Sequence, residues 1–148
     1  MIQLWRISKH KELSGTGGLR APGRWHNAGS PIVYLAETPA GALLEACVHT
    51  SANDFPPKYT LLSVRIDDQI RTEIFDGKAL RKDWINHVDE TREIGSEWLR
   101  SQRSALLLVP SALVPATSNV LLNPLHPDAA RIRIDSAYEY PFDMRIKK

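Results

Sequence analysis

A chain of 148 residues with 43% apolar and 24% charged residues and a net charge of +2 is a single globular domain, neither disordered nor coated with one sign of charge. Apolar runs such as Ala105–Val109 fall far short of the ~20 residues that span a bilayer, and no apolar stretch follows Arg6, Lys9 and Lys11, so neither membrane anchor nor signal peptide is expected. The lone Cys47 cannot close an internal disulfide, which suits a reducing, cytoplasmic setting.

The modest charge hides one local bias. Residues 1–36 carry Arg6, Lys9, Lys11, Arg20 and Arg24 against Glu12 alone. A small anion matches this segment better than a nucleic acid, which asks for a broader basic surface.

In chain order, Ile2–Ile7 reads as a first strand. Residues 14–31 hold five of the eight glycines, with Pro22 and Pro31, and exclude a regular element. Pro31–Ala36 is rich in strand formers. Thr38-Pro39 opens a helix to about His49, with Thr as cap and Pro in the first position, and Leu43, Leu44, Cys47 and Val48 as its apolar arc. Cys47 on that arc reads as a small core residue rather than a nucleophile.

Further along, Tyr59–Ile66 and Thr72–Phe75 read as strands and Asp76-Gly77 as a turn. Glu90–Gln102 reads as a helix burying Ile94, Trp98 and Leu99, followed by strands at Ala105–Val109, Asn119–Leu122 and Ile132–Tyr138. A continuous apolar run such as Ala105–Val109 suits a strand covered on both faces. Strands outnumber helices without alternating with them, so the class is α+β, a mixed β-sheet core with flanking helices.

Familiar catalytic signatures are missing. Gly15-Thr16-Gly17-Gly18-Leu19-Arg20 ends in Arg where a dinucleotide fingerprint needs Gly or Ala, and no helix is expected after it. Walker A, HExxH, paired-Cys and G-x-S-x-G patterns do not occur, and the five histidines are scattered, so no metal is expected.

What remains is a constellation of single residues. Arg24 in Gly23-Arg24-Trp25-His26-Asn27 offers a planar fork that matches phosphate oxygens, and Arg6 offers a second cation. Tyr34 interrupts an apolar strand with a ring able to stack on a flat heterocycle. Glu45 is a lone carboxylate in its helix, leaning over Gly41 and Ala42, where there is no bulk. Ser111 and Asn123 end two strands, where sites gather but where ordinary turn formers also sit. Each of these residues has a plain structural use as well: a surface arginine, a core tyrosine, a solvated glutamate.

Taken together and in order, Gly-Arg-Trp-His-Asn around Arg24, Val-Tyr-Leu-Ala-Glu-Thr around Tyr34, Ala-Leu-Leu-Glu ending at Glu45 and Val-Pro-Ser ending at Ser111 resemble the RES domain, named for an Arg, a Glu and a Ser. The likeness extends from Leu-Trp-Arg-Ile near the start to Tyr-Pro-Phe-Asp-Met-Arg-Ile at the end. It departs at His26, where an Asn or another small polar residue is expected; Asn27 stands one place on.

The resemblance implies the toxin of a bacterial type II toxin–antitoxin pair, with an ADP-ribosyltransferase-like fold and NAD as substrate rather than cofactor. It implies an Xre-type helix-turn-helix antitoxin as partner, a homodimer within the complex, and contact with DNA only through the antitoxin. Glu45, Arg24 and Tyr34 then become the catalytic set, and Arg6, Ser111 and Asn123 join Arg24 and Tyr34 in holding NAD. NAD glycohydrolase is the leading activity, protein ADP-ribosyltransferase the alternative, and a non-enzymatic nucleotide-binding module the third reading.

Overall fold

The computed structural model describes residues 1–147, and its architecture is a seven-stranded mixed sheet with three α-helices. The strands are β1 (Ile2–Ile7), β2 (Val33–Ala36), β3 (Lys58–Ile66), β4 (Thr72–Ile74), β5 (Leu106–Pro110), β6 (Ser118–Leu122) and β7 (Arg133–Pro141). Their order is β4-β5-β6-β2-β1-β3-β7; only β4 and β5 run parallel. The expected α+β class and mixed sheet are therefore what the chain forms.

Alternation along the central strands divides the core in two. Leu106, Val120 and Leu122 join Leu4, Val33, Leu35 and Val64 in one cluster. Leu107, Val109 and Leu121 point the other way, into a cluster with Trp25, Trp98 and Leu99. Successive strand residues face opposite sides, so β5 and β6 carry apolar side chains throughout.

The helices are α1 (Gly17–Arg20), α2 (Pro39–His49) and α3 (Val88–Ser101). The first corrects the expectation that residues 14–31 hold no regular element: one helical turn forms inside the glycine loop, set up by Gly15 at φ +67°. A side chain at Gly15 would lie 2.7 Å from the backbone of Ile32, so glycine is required there for space as well as for φ.

In α2 the Thr38 hydroxyl accepts from the Gly41 amide at 2.9 Å, as the Thr-Pro start predicts. Cys47 is buried, as expected of a small core residue, and Ala42 with it; the apolar arc needs correction at Leu44 and Val48, which are exposed.

Helix α3 begins at Val88, two residues earlier than read, with Asp89 and Glu90 in its first turn and Arg100 in its last, charges that suit the helix dipole. It ends at Gln102 in the left-handed conformation, φ 56°. Trp98 and Leu99 are buried, while Ile94 is half-buried against the second cluster. Among the described residues no helix is long and apolar enough to cross a membrane.

Candidate active-site cleft

A cleft of about 810 Å³ opens beside the middle of the sheet. Its walls come from the end of β1, the glycine loop, β2, α2, the start of β3 and Asn119 of β6. The volume is in the range of small-molecule sites.

Arg24 stands on a loop that α3 fixes firmly. The Thr91 hydroxyl donates to the Arg24 carbonyl at 2.6 Å, Arg92 Nε donates to the Gly23 carbonyl at 2.8 Å, and the Asn27 amide donates to Ser96 Oγ at 3.0 Å. The next side chain, Trp25, is fully buried between Phe75 and Trp84, with ring centroids 5.8 and 5.9 Å away. Anchored this way, Arg24 donates from Nη1 to the Ile85 carbonyl at 2.8 Å and leaves the rest of its guanidinium toward the cleft.

Tyr34 is held at both ends. Its carbonyl accepts from Arg6 Nη1 at 3.0 Å, and its hydroxyl lies 2.7 Å from His26 Nδ1 and 3.1 Å from the Trp25 amide that donates to it. Burial pushes the phenol up to about 12. Burial likewise pulls the Arg6 guanidinium below its ordinary value, only partly offset by Glu12. No carboxylate lies within salt-bridge distance of Arg6 or Arg24 among the described residues. Two guanidiniums without a carboxylate partner in one cleft make an anion site.

Glu45 faces the same space. Asn119 Nδ2 donates to its Oε1 at 3.0 Å, and His49, one turn on, lies 3.6 Å from its Oε2. Burial opposes ionisation of this carboxyl. The ion pair with His49, the hydrogen bond from Asn119 and the charge of Arg24 outweigh it and hold the group below the usual carboxylate range. Glu45 is therefore an anion at neutral pH, close enough to Arg24 to feel its field.

The structure thus brings Arg6, Arg24, Tyr34 and Glu45 into one cleft. Ser111 and Asn123, expected as ligand contacts, are not among the residues lining it. The Ser111 hydroxyl accepts from the Leu113 and Val114 amides at 3.1 and 3.2 Å, and only the following Ala112 and Leu113 reach the cleft. Asn123 is buried, accepts from the Leu125 amide at 3.1 Å and donates to the Leu99 carbonyl at 3.3 Å. Both side chains hold turns.

The sequence reading overlooked Asn119 and His49. His49 was legible from the i,i+4 spacing to Glu45. Asn119 carried no local signal, because its meeting with Glu45 depends on how β6 lies beside β2. Among the described residues no group of three or more His, Cys, Asp or Glu is placed to hold a metal ion.

The model of the RES domain family matches residues 3–143. The chain is 44% identical over 133 residues to "Toxin Res" of Pseudomonas putida, covering 88% of this chain and 90% of that protein. It is 36% identical over 152 residues to "Prs ADP-ribosylating toxin" of Sphingobium sp., covering 96% and 94%. The toxin–antitoxin complex MbcT-MbcA of M. tuberculosis contains a chain of the same fold, with a TM-score of 0.71 at 16% identity, covering 95% of this chain and 84% of that one.

Proposed function

The chain belongs to the RES domain family of toxins, and from that membership and the cleft we propose that it is an NAD glycohydrolase acting as the toxin of a toxin–antitoxin pair. The observation that carries the reading is the ionised Glu45, fixed by Asn119 in the same cleft as two guanidiniums without a carboxylate partner. NAD is a substrate with two charges of opposite need: a pyrophosphate that wants cations and a ribose that becomes cationic as its bond breaks.

In this mechanism Arg6 and Arg24 take the pyrophosphate, and the ring of Tyr34 packs against a flat base. The bond between nicotinamide nitrogen and ribose C1 breaks, and its electron pair goes to the nitrogen, so nicotinamide leaves neutral without a general acid. Positive charge builds on the ribose, and the Glu45 carboxylate stabilises it. Water bonds to C1 and releases a proton. A preorganised charge of this kind contributes about 3–4 kcal/mol, or 10²–10³ in rate.

Replacing Glu45 by Gln keeps size and the Asn119 contact but removes the charge. The purified variant is expected to fold normally and to lose NAD consumption by that factor in a chromatographic assay. Retention of activity within tenfold of the wild type would remove Glu45 from the mechanism. Free ADP-ribose as product marks the glycohydrolase. Label transferred to a protein marks the alternative, which the name of the Sphingobium relative favours.

Control of such an enzyme comes in trans, from an antitoxin of the Xre helix-turn-helix type that brings a carboxylate to Arg6 or Arg24 in place of pyrophosphate. Calorimetric titration of NAD into the toxin and into the complex tests this. Competition requires NAD and antitoxin to weaken each other's binding equally, and equal NAD affinity in both titrations rules out cleft blocking.

A further inference from the structure

His26 is 2% exposed, and its ring lies against that of Tyr34, with centroids 5.7 Å apart. Both of its ring nitrogens are engaged. Nε2 lies 3.2 Å from the carbonyl oxygen of Gly18, which can only accept, so Nε2 carries the hydrogen. A neutral imidazole has one N–H, so Nδ1 is bare.

Two donors converge on that bare nitrogen. The Gly23 amide, shared with the His26 carbonyl at 3.1 Å, donates to it at 3.2 Å, and the Tyr34 hydroxyl stands 2.7 Å away. The Tyr34 oxygen is itself the acceptor for the Trp25 amide at 3.1 Å. The hydroxyl hydrogen therefore points at Nδ1, and the chain of bonds runs from Trp25 through Tyr34 and His26 to Gly18.

We propose that His26 is a positioning residue that takes the Tyr34 hydroxyl hydrogen on its bare Nδ1, so that Tyr34 offers its ring and not its hydroxyl to the molecule in the cleft. That molecule is NAD on the reading proposed above. Gly23 supports the arrangement: a Cβ there would lie 2.4 Å from the Tyr34 oxygen and 3.1 Å from His26 Nδ1, so the chain gives up a side chain where these groups meet. One element then ties together the α1 turn, the Arg24 loop and β2, and with them the ligand-facing groups.

Protonating His26 would undo this. Its Nδ1–H would face the Gly23 N–H, and the Tyr34 hydroxyl would lose its acceptor. The charged side chain that acts on it is Arg92 from α3, and the titratable group it bonds is Tyr34 from β2. Burial and then Arg92 hold the imidazole below its ordinary range, against the pull of the Gly18 and Ala21 backbone.

The first measurement needs no substrate. Two-bond proton–nitrogen NMR on the full chain with labelled histidine should show His26 with a protonated Nε2 and a bare Nδ1, and should keep that pattern at about pH 6, where an ordinary imidazole is largely charged. A protonated Nδ1 in the neutral form overturns the proposal.

The second measurement is kinetic. His26→Asn keeps an acceptor near Nδ1 and should stay within a few-fold of wild-type kcat/KM for NAD, with the acid limb of the pH profile due to His26 abolished. His26→Phe keeps ring bulk without an acceptor and should lose about 10²-fold, the scale of a misplaced contact. Tyr34→Phe should retain more activity than Tyr34→Ala. Equal loss in the two His26 variants, or in the two Tyr34 variants, overturns the proposal. Should His26→Phe fail to fold, the Asn variant and the NMR pattern still decide it. If the wild type leaves NAD intact, the functional reading falls, while the NMR result stands by itself.

Discussion

Arg24 sits on a loop whose backbone is bonded to α3 at Arg24, Gly23 and Asn27 and whose next side chain, Trp25, is wholly buried. Glu45 sits on α2, which leaves Leu44 and Val48 41% and 51% exposed and whose far end is tied by Lys147 Nζ donating to the Cys47 and Thr50 carbonyls. One wall of the cleft is built into the core; the other is a helix resting on it. The difference teaches where substitutions act. Changes around Arg24 alter the fold, and changes around Glu45 alter chemistry with the fold intact.

Gly95 is the sharpest way to break the first wall. A Cβ there would lie 1.6 Å from the Trp25 carbonyl oxygen. Backbone cannot yield as a flexible side chain does, so Gly95→Ala must push α3 off the loop. We expect a loss of about 3 kcal/mol, the upper part of the usual range for overpacking, with Arg24 displaced as well. Urea denaturation measures the first effect and NAD consumption the second; a variant as stable as the wild type means that α3 and the loop move apart freely.

Arg24 itself sharpens the comparison without touching the core. Arg24→Ala should raise KM for NAD more than it lowers kcat, because a phosphate contact positions the substrate. Arg24→Lys should recover only part of the loss, since an ammonium lacks the bidentate fork and cannot reproduce the bond to the Ile85 carbonyl while also facing the ligand. We expect about tenfold between Arg and Lys, equivalent to ~1.4 kcal/mol. Full activity with Lys would show that charge alone suffices.

These two walls were legible from sequence to different depths. The strands followed from runs such as Ala105–Val109, whose apolar character on both faces suits a strand in the middle of a sheet. Helix α2 was announced by Thr38-Pro39 and the burial of Cys47 was legible, but Leu44 and Val48 were misjudged. They look like core residues by type, and only the docking of α2 against β1 and β2 turns Ala42 inward and leaves them exposed. Arg6, Arg24, Tyr34 and Glu45 could be chosen because each is chemically out of place in its segment. Ser111 and Asn123 bond backbone amides of their own turns, and a strand end looks the same in sequence whether its side chain bonds a ligand or its own backbone. The role of Gly95 was invisible, because its reason lies in a residue 70 positions away.

The smallest expected effect lies in the Glu45–His49 pair on the lightly held wall. The ion pair with Glu45 raises the His49 imidazole above its ordinary 6.5, burial and Arg24 opposing, while Glu45 itself titrates below its ordinary 4.5. The signs set a window. The histidine contributes stability in full below 6.5 and loses it as pH rises through its raised folded value. The carboxylate contributes in full above 4.5 and loses it as pH falls through its lowered folded value. Both terms are therefore complete only between about 4.5 and 6.5. His49 is 69% exposed on its side chain, so water screens the pair and the contribution stays within about 0.3–0.5 kcal/mol, as for other exposed i,i+4 pairs. Urea unfolding of the wild type and His49→Ala should differ by that amount inside the window and converge well above it, where the imidazole is neutral. A gap that persists or widens at alkaline pH would mean that His49 supports α2 by packing rather than by charge, and that Glu45 depends on Asn119 alone.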